Sequence, residues 1–224
     1  MIRLAFALIS QLRLIIFSMI KAVIFDLDGV LVEAKDWHYE CLNIALSIFG
    51  AEISYDDHLQ NFDGLPTSVK LNKLKERGLL PSRSFALINQ LKQVYTQEYF
   101  ETRCFPSYTI KYLMQKLVEK DIRVAIASNS IRDTVSKAIE SLDINQYVEF
   151  YLGNEDVDKP KPSPNIYNKA LTMLNINPNE ALILEDNKNG LKAAYSSGAN
   201  VLKIDEVSDT NHINVFNKIK EITN

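Results

Sequence analysis

Short apolar runs alternate with helix-length segments along most of the chain from Lys21 onward. The runs are rich in β-branched residues and lie between turn residues, which is typical of strands buried on both faces of a parallel sheet. They fall at residues 23–25, 124–127, 181–184 and 201–204. Helical patterns fall between the later runs, at residues 107–120, 130–142, 163–174 and 187–197. This order predicts an α/β fold with a doubly wound, Rossmann-like parallel sheet.

The alternation is interrupted after the first apolar run. Glycine and proline turn signals separate three helical patterns there, at residues 37–49, 67–77 and 85–100. An insertion in the loop after a strand leaves the sheet continuous, and such loops tolerate added segments. The sequence therefore predicts an α-helical cap domain at residues 34–104, inserted into an α/β core domain formed by residues 19–33 and 105–224.

Composition excludes several classes of protein. The 224 residues are 46% hydrophobic and 24% charged, with a formal net charge of -3, which is the balance of a globular domain. Because no run of five like charges occurs, we expect no nucleic acid partner and no stable membrane partner. The two cysteines, Cys41 and Cys104, lack the spacing of a metal site or disulfide framework. We therefore expect a monomeric protein of a reducing compartment, the cytoplasm.

The first 18 residues, MIRLAFALISQLRLIIFS, form an apolar extension of ambiguous purpose. Arg13 splits the apolar run, which disfavours a span of about 20 apolar residues that could cross a bilayer. Three interpretations stay open: an extension or a start site upstream of the natural Met19, an interfacial amphipathic anchor, or a secretory signal.

Polar residues follow three of the predicted strands at the point where each strand ends. They are Asp26 and Asp28 after the first, Ser128 and Asn129 after the second, and Glu185 and Asp186 after the third. Each one alone is better explained as a turn residue or a helix cap than as part of a site. Ligands of open parallel sheets bind at this edge, however, and four converging carboxylates would repel one another. A hard divalent cation such as Mg²⁺ would offset that repulsion.

Four motifs follow one another along the chain. They are DLDGVLV at 26–32, SNS at 128–130, KPSPNIY at 161–167 and LEDNKNGLKAA at 184–194. Their order and spacing resemble those of the haloacid dehalogenase superfamily, over residues 21–205. The chain resembles the branch with a helical cap, which includes sugar-phosphate and phosphoglycolate phosphatases and β-phosphoglucomutase. The resemblance implies a Mg²⁺-dependent phosphatase that acts on a small phosphorylated metabolite, through an aspartyl-phosphate intermediate.

The resemblance also implies catalytic roles for particular residues. Asp26 would be the nucleophile, and Asp28 would protonate the leaving oxygen and then activate water. Ser128 and the backbone N–H of Asn129 would bind the transferring phosphoryl group. Lys161 would offset the charge on Asp26 and on the phosphoryl oxygens, and the motif spacing selects it over the neighbouring Lys159.

The implied metal ligands come from the first and fourth motifs. Asp186 would bind Mg²⁺ directly, together with Asp26 and with Asp28, whose backbone carbonyl faces the metal. Glu185 would bond Lys161 or a metal-bound water. Asn187 replaces the serine usual at its place in the family, and we expect its amide to cap the following helix.

The predicted cap contributes the substrate-facing residues. His38 matches a histidine common in this branch, and it can serve as an active-site contact or as a structural helix residue. Gly64 and Thr67 belong to the run Gly-Leu-Pro-Thr, which stands where β-phosphoglucomutase carries an arginine that grips the distal phosphate.

Two alternatives to a phosphatase remain open. The missing arginine weakens the hypothesis of a β-phosphoglucomutase-like phosphomutase, although Lys70, one turn further along, could compensate for it. A catalytically silent, ligand-binding protein of the same fold is the other alternative, and it is disfavoured because the motif acids and Lys161 are all present.

Overall fold

We analysed a computed structural model, which describes residues 20–223. Five strands lie at Ala22–Phe25 (β1), Arg123–Ala127 (β2), Phe150–Leu152 (β3), Ala181–Glu185 (β4) and Asn200–Lys203 (β5). Eight helices of nine or more residues lie at Lys35–Ser47 (α1), Thr67–Glu76 (α2), Phe85–Arg103 (α3), Tyr108–Val118 (α4), Arg132–Ser141 (α5), Asn165–Leu174 (α6), Lys188–Ser196 (α7) and His212–Thr223 (α8). The predicted apolar extension at residues 1–18 lies outside the described residues.

The strands form one parallel sheet in the order β3-β2-β1-β4-β5. The central strand β1 pairs with both neighbours, so that Ala22 lies opposite Arg123 on β2 and opposite Ala181 on β4. All four side chains of β1 are buried, as its apolar, partly β-branched sequence predicts. The predicted doubly wound α/β fold is confirmed.

Side chains alternate between the two faces of the sheet, as the period of a strand requires. Val23 and Phe25 of β1 pack into a core that includes residues of α4, α5 and α8. Ala22 and Ile24 pack into a second core with residues of α6 and α7. Helices therefore cover both faces, and the carboxyl ends of the strands are left to form the site.

The helices between β1 and β2 have a hydrophobic core of their own. It includes Leu42 and Leu46 of α1, Leu71 and Leu74 of α2, and Ile88 of α3. Within residues 20–223, no strand of the sheet lies in this interval. Three short turns complete it: an α-helical turn at Tyr55–Asp57, a π-helical turn at His58–Phe62 and a 3-10 turn at Ser82–Ser84. The three helical stretches that the sequence predicts after the first strand are thus present, separated by turns.

Besides the short helical turns, one strand and one long helix were not predicted from the sequence. β3 has three residues and is only half-buried at the sheet edge, so it lacks a long apolar run. α8 follows the last predicted strand and buries Val215 and Phe216. The bounds of the predicted helices differ from the observed ones by at most three residues at either end, because caps and fraying decide the terminal residues.

Among the described residues, no helix is both long enough and apolar enough to cross a bilayer. Both cysteines are buried free thiols, Cys41 within α1 and Cys104 directly after α3.

Candidate active site

A buried lysine joins the ends of three strands. Lys161 is 3% exposed, and its ammonium group donates to Asp26 Oδ1 at 2.9 Å and to the carbonyl oxygen of Ala127 at 2.8 Å. It also donates to Glu185 Oε1 at 2.6 Å. Asp26 follows β1, Ala127 ends β2 and Glu185 ends β4, so the parallel sheet brings these groups together. Lys159, the other lysine of this loop, is exposed.

Glu185 is fully buried and each of its oxygens has a protein partner. The hydroxyl of Tyr167 donates to Oε1, and the backbone N–H of Asp186 donates to Oε2 at 3.2 Å. Gly190 in the first turn of α7 lies directly against this carboxylate, because a Cβ there would come within 2.0 Å of Oε2. Glu185 therefore holds Lys161 in place rather than facing solvent.

Three carboxylates cluster at this strand edge. Asp26, Glu185 and Asp186 each offer an oxygen, and these atoms lie within 4.8 Å of one another. Burial and then the charge of Glu185 raise the pKa of Asp26 well above its usual range, although Lys161 acts in the opposite direction. Lys35 of α1 pairs with Asp186 at 2.7 Å. These three carboxylates have only two nearby cations, Lys161 and Lys35, and such an excess of hard carboxylate oxygens fits a Mg²⁺ ion. Asp26 and Asp186 have oxygens that Lys161 and Glu185 leave free.

Asp28 belongs to a separate network. Gly29 adopts a φ of +82°, and the turn directs the Asp28 carboxylate away from the cluster. Its Oδ1 lies 3.0 Å from His38 Nε2, and its Oδ2 accepts from the Ser130 hydroxyl at 2.9 Å. Behind the ring, Lys92 Nζ lies 3.2 Å from His38 Nδ1. Lys92 can only donate to Nδ1, so the proton of a neutral His38 ring is on Nε2 and faces Asp28.

These contacts decide the protonation of Asp28. Burial acts to raise its pKa, but His38, Ser130 and Lys92 together outweigh burial, so the pKa of Asp28 lies below its usual range. The pKa of His38 is lowered by burial and by Lys92, although Asp28 acts in the opposite direction. The two motif acids thus occupy different electrostatic environments.

Ser128 and Asn129 follow β2 as predicted, but neither caps the next helix. That helix, α5, begins at Arg132, and the Ser128 hydroxyl accepts only the N–H of Ser130, at 3.0 Å. The Asn129 amide accepts the backbone N–H of Lys161 at 3.0 Å and donates to the carbonyl of Gly64 at 3.2 Å. Asn129 therefore connects the sheet edge to the inserted helices.

Asn187 caps α7, as its sequence predicts. Its side-chain oxygen accepts the N–H groups of Asn189 at 2.9 Å and Gly190 at 3.0 Å. Gly64 approaches this amide so closely that a Cβ at Gly64 would lie 3.1 Å from it, and the positive φ of +66° also suits glycine.

One cavity of about 610 Å³ collects these groups. Asp26, Asp28, Ser128, Asn129 and Lys161 line it from the sheet edge. Residues from the inserted helices line it from the other side: His38, Gly64, Thr67, Lys70 and Lys92. Glu185 and Asp186 are not among the residues that line it.

Comparison with known proteins identifies the family. The profile of the haloacid dehalogenase-like hydrolases matches residues 23–204. The chain belongs to this family.

Other members of this hydrolase family are distant in sequence. A phosphorylated carbohydrates phosphatase of Thermotoga maritima is 25% identical over 185 residues, which cover 80% of this chain and 82% of that protein. A phosphoglycolate phosphatase of Aquifex aeolicus is 27% identical over 183 residues, covering 80% and 81%. The crystal structure of β-phosphoglucomutase from Clostridium difficile aligns with a TM-score of 0.77 at 20% identity, over 91% of this chain and 98% of that one, which shows the shared fold.

Sequence reasoning missed four residues of this hydrolase site. They are Lys35, Lys92, Ser130 and Tyr167. Ser130 belongs to the SNS motif and Tyr167 to the KPSPNIY motif, so both were within predicted motifs, but neither was predicted as a site residue. Lys35 and Lys92 carry no such signal, because lysines of amphipathic helices usually face solvent.

Proposed function

We propose that this hydrolase is a phosphatase that cleaves a small phosphate monoester through an aspartyl-phosphate on Asp26. One observation carries the proposal: two acids two residues apart belong to separate networks, Asp26 with Lys161 and Asp28 with His38. A nucleophile and an acid/base need different environments to hold different protonation states.

In the first half-reaction, an oxygen of Asp26 attacks phosphorus while the bond from phosphorus to the ester oxygen breaks. The leaving oxygen takes the proton of Asp28 and departs as an alcohol. Lys161 offsets the charge of Asp26 and of the phosphoryl oxygens, and Ser128 and Asn129 bind the phosphoryl group. A bound phosphate dianion beside Asp28 favours its protonated form, because like charges raise the pKa of a carboxyl group. Asp28 thus takes up the proton it needs as the substrate binds.

In the second half-reaction, water attacks phosphorus of the aspartyl-phosphate. Asp28, now a carboxylate, takes a proton from this water as the bond between phosphorus and Asp26 breaks. Inorganic phosphate leaves and Asp26 is regenerated. The hydrogen bonds from His38 and Ser130 orient the Asp28 carboxylate for both proton transfers.

Asp26 and Asp186 are the residues we propose to hold Mg²⁺. The ion supplies positive charge that stabilises the ionised nucleophile and the phosphoryl oxygens. Glu185 stays behind them as the partner of Lys161, and the carboxylate of Asp28 is assigned to proton transfer. Asp28 would therefore contribute only its backbone carbonyl as a metal ligand.

We further propose that residues 34–104 act as a cap domain over a core formed by residues 19–33 and 105–224. The separate hydrophobic core of the inserted helices supports this division. His38, Gly64 and Thr67 would then contact the part of the substrate that is not transferred.

The test is Mg²⁺-dependent phosphate release from p-nitrophenyl phosphate and a panel of phosphate esters. Asp26→Asn should abolish release, whereas Asp205→Asn, on the surface, should leave it unchanged. Acid quench of a single turnover should leave phosphate on the wild-type protein that alkali releases, as expected of an acyl phosphate.

Two other outcomes would replace this proposal. Conversion of β-glucose 1-phosphate to glucose 6-phosphate without free phosphate would establish a phosphomutase. Binding of phosphate esters without turnover of any of them would establish a silent binding protein.

A further inference from the structure

The side chain of Asn129 pairs with both backbone groups of Lys161. Its Oδ1 accepts the N–H of Lys161 at 3.0 Å, and its Nδ2 donates to the carbonyl of Lys161 at 3.3 Å. The amide has to lie this way round, because only its oxygen can accept from an N–H group and only its nitrogen can donate to a carbonyl. The half-buried amide therefore holds the backbone of Lys161 at two points, as the opposite residue of an antiparallel strand would.

The same side chain also reaches the inserted helices. Asn129 Nδ2 donates to the carbonyl of Gly64 at 3.2 Å. Gly64 lies in the loop at residues 63–66, between the π-helical turn and α2, and all four residues of this loop line the cavity. An asparagine amide has two hydrogens, and here there is one carbonyl for each of them. A single side chain thus joins this loop to the backbone of Lys161.

Lys161 is held at both of its ends. The ammonium group, at the far end, donates to Asp26, Ala127 and Glu185. A lysine side chain is a flexible four-carbon stem, so contacts of the ammonium group alone leave the backbone free to shift. Asn129 removes that freedom at the backbone. Electrostatic stabilisation of a transition state depends on charges that are already in place when the reaction begins, so this second point of attachment bears on catalysis.

We propose that the side chain of Asn129 is a positioning residue, which fixes Lys161 through its backbone and ties that position to the loop at residues 63–66. This inference rests on the proposed phosphatase function, in which Lys161 acts on the phosphoryl group and the backbone N–H of Asn129 binds it. It gives the inserted helices a part in the chemical step, because a displacement of their loop moves the Asn129 amide and, through it, Lys161.

The first test removes the amide. Asn129→Ala keeps the backbone N–H that binds the phosphoryl group but releases the backbone of Lys161. With p-nitrophenyl phosphate and Mg²⁺, kcat should therefore fall about tenfold or more, while KM changes less than about threefold.

Asn43→Ala is the matched control. Asn43 of α1 holds both backbone groups of Ile53 in the same way, at 2.8 and 3.0 Å, and it is not among the residues that line the cavity. This variant should lower the Tm and leave kcat unchanged. An equal loss of kcat in Asn43→Ala and Asn129→Ala would overturn the inference, because the loss would then reflect stability alone.

The second test moves the loop and leaves Asn129 in place. A Cβ at Gly64 would lie 3.1 Å from Asn187 Oδ1, and the φ of +66° is strained for alanine, so Gly64→Ala displaces the loop. If the loop acts through Asn129, Gly64→Ala lowers kcat in the wild-type protein but adds less than about twofold to the loss in Asn129→Ala. Gly78→Ala is the matched control, because Gly78 also has a positive φ, of +74°, but a Cβ there would meet no atom within 4 Å. Independent, multiplicative effects of Gly64→Ala and Asn129→Ala on kcat would contradict the proposed link.

Hydrogen exchange of the Lys161 backbone N–H, followed by NMR, tests the link without turnover. This N–H should exchange faster in Asn129→Ala and in Gly64→Ala than in the wild-type protein or in Gly78→Ala. Unchanged exchange in Gly64→Ala would overturn the inference, since the loop would then not hold the Asn129 amide.

Failure of this inference and failure of the proposed function are distinguishable. Phosphate release with the same kcat in Asn129→Ala and in the wild-type protein overturns the inference and leaves the phosphatase function standing. If the wild-type protein releases no phosphate from any ester, the proposed function fails, and the catalytic role of the Asn129 side chain fails with it.

Discussion

Replacing Tyr167 with phenylalanine tests how the site is held together. Tyr167 lies in α6, and its side chain is fully buried between the helix and the sheet. Its hydroxyl donates to Glu185, the same carboxylate oxygen that accepts from Lys161. The substitution keeps the ring and removes this single donor, so it isolates one hydrogen bond to a buried charge.

The expected magnitude follows from the kind of bond that is lost. A hydrogen bond to a charged group contributes about 1.5–3 kcal/mol to the free energy of unfolding. For a chain of this length, about 1 kcal/mol corresponds to a Tm shift of about 2–4 °C. We therefore expect Tyr167→Phe to lower the Tm by about 3–12 °C. Burial and then the charge of Glu185 raise the pKa of Tyr167, so its hydroxyl stays protonated and the difference should be constant from pH 6 to pH 9.

The assay is thermal unfolding followed by circular dichroism, with kcat measured alongside it. Tyr108→Phe is the matched control, because Tyr108 is 87% exposed and its hydroxyl is in solvent. On the proposed function, Lys161 acts directly on the phosphoryl group. In Tyr167→Phe it keeps its bonds to Asp26 and Ala127, so kcat should fall less than about tenfold. A Tm loss below about 1 °C would refute the reasoning, since Glu185 would then not depend on this donor.

Two further substitutions probe the same strand edge. Gly190→Ala places a Cβ within 2.0 Å of Glu185 Oε2, so we expect the free energy of unfolding in denaturant to fall by about 1–3 kcal/mol or more. Lys188→Ala, on the exposed side of the same turn, should change it little. Lys35→Met removes the ammonium group that pairs with Asp186, so Mg²⁺ should bind several-fold more tightly in calorimetric titration. Weaker Mg²⁺ binding by this variant would contradict a metal role for Asp186.

The fold could be predicted because its signal is local. Short apolar runs with β-branched residues predict that β1 and β4 are buried. A parallel sheet then brings the carboxyl ends of these strands to the same edge. β3 was not predicted because this edge strand has only three residues, two of them half-buried, and so lacks the length of such a run.

The site was predictable to the extent that its residues follow strands. Asp26, Ser128 and Glu185 stand directly after or at the ends of β1, β2 and β4, so their convergence follows from the topology. Lys92 and Lys35 lie within helices, where a lysine ordinarily extends into water. Only the packing of α1 against α3 shows that Lys92 is buried against His38.

The charges on the two sides of the cavity are complementary to one kind of ligand. At the sheet edge, Lys161 pairs with both Asp26 and Glu185, and Lys35 pairs with Asp186. Three carboxylates therefore face two cations. On the helical side, Lys70 lines the cavity, and no residue within 20–223 forms a hydrogen bond or a salt bridge with its ammonium group. Neither side is electrically balanced by the described protein groups alone. On the proposed function, Mg²⁺ would supply the positive charge that the sheet edge lacks, and the phosphate ester would bring negative charge into the cavity that Lys70 lines, which links substrate binding to the contact between the two halves of the molecule.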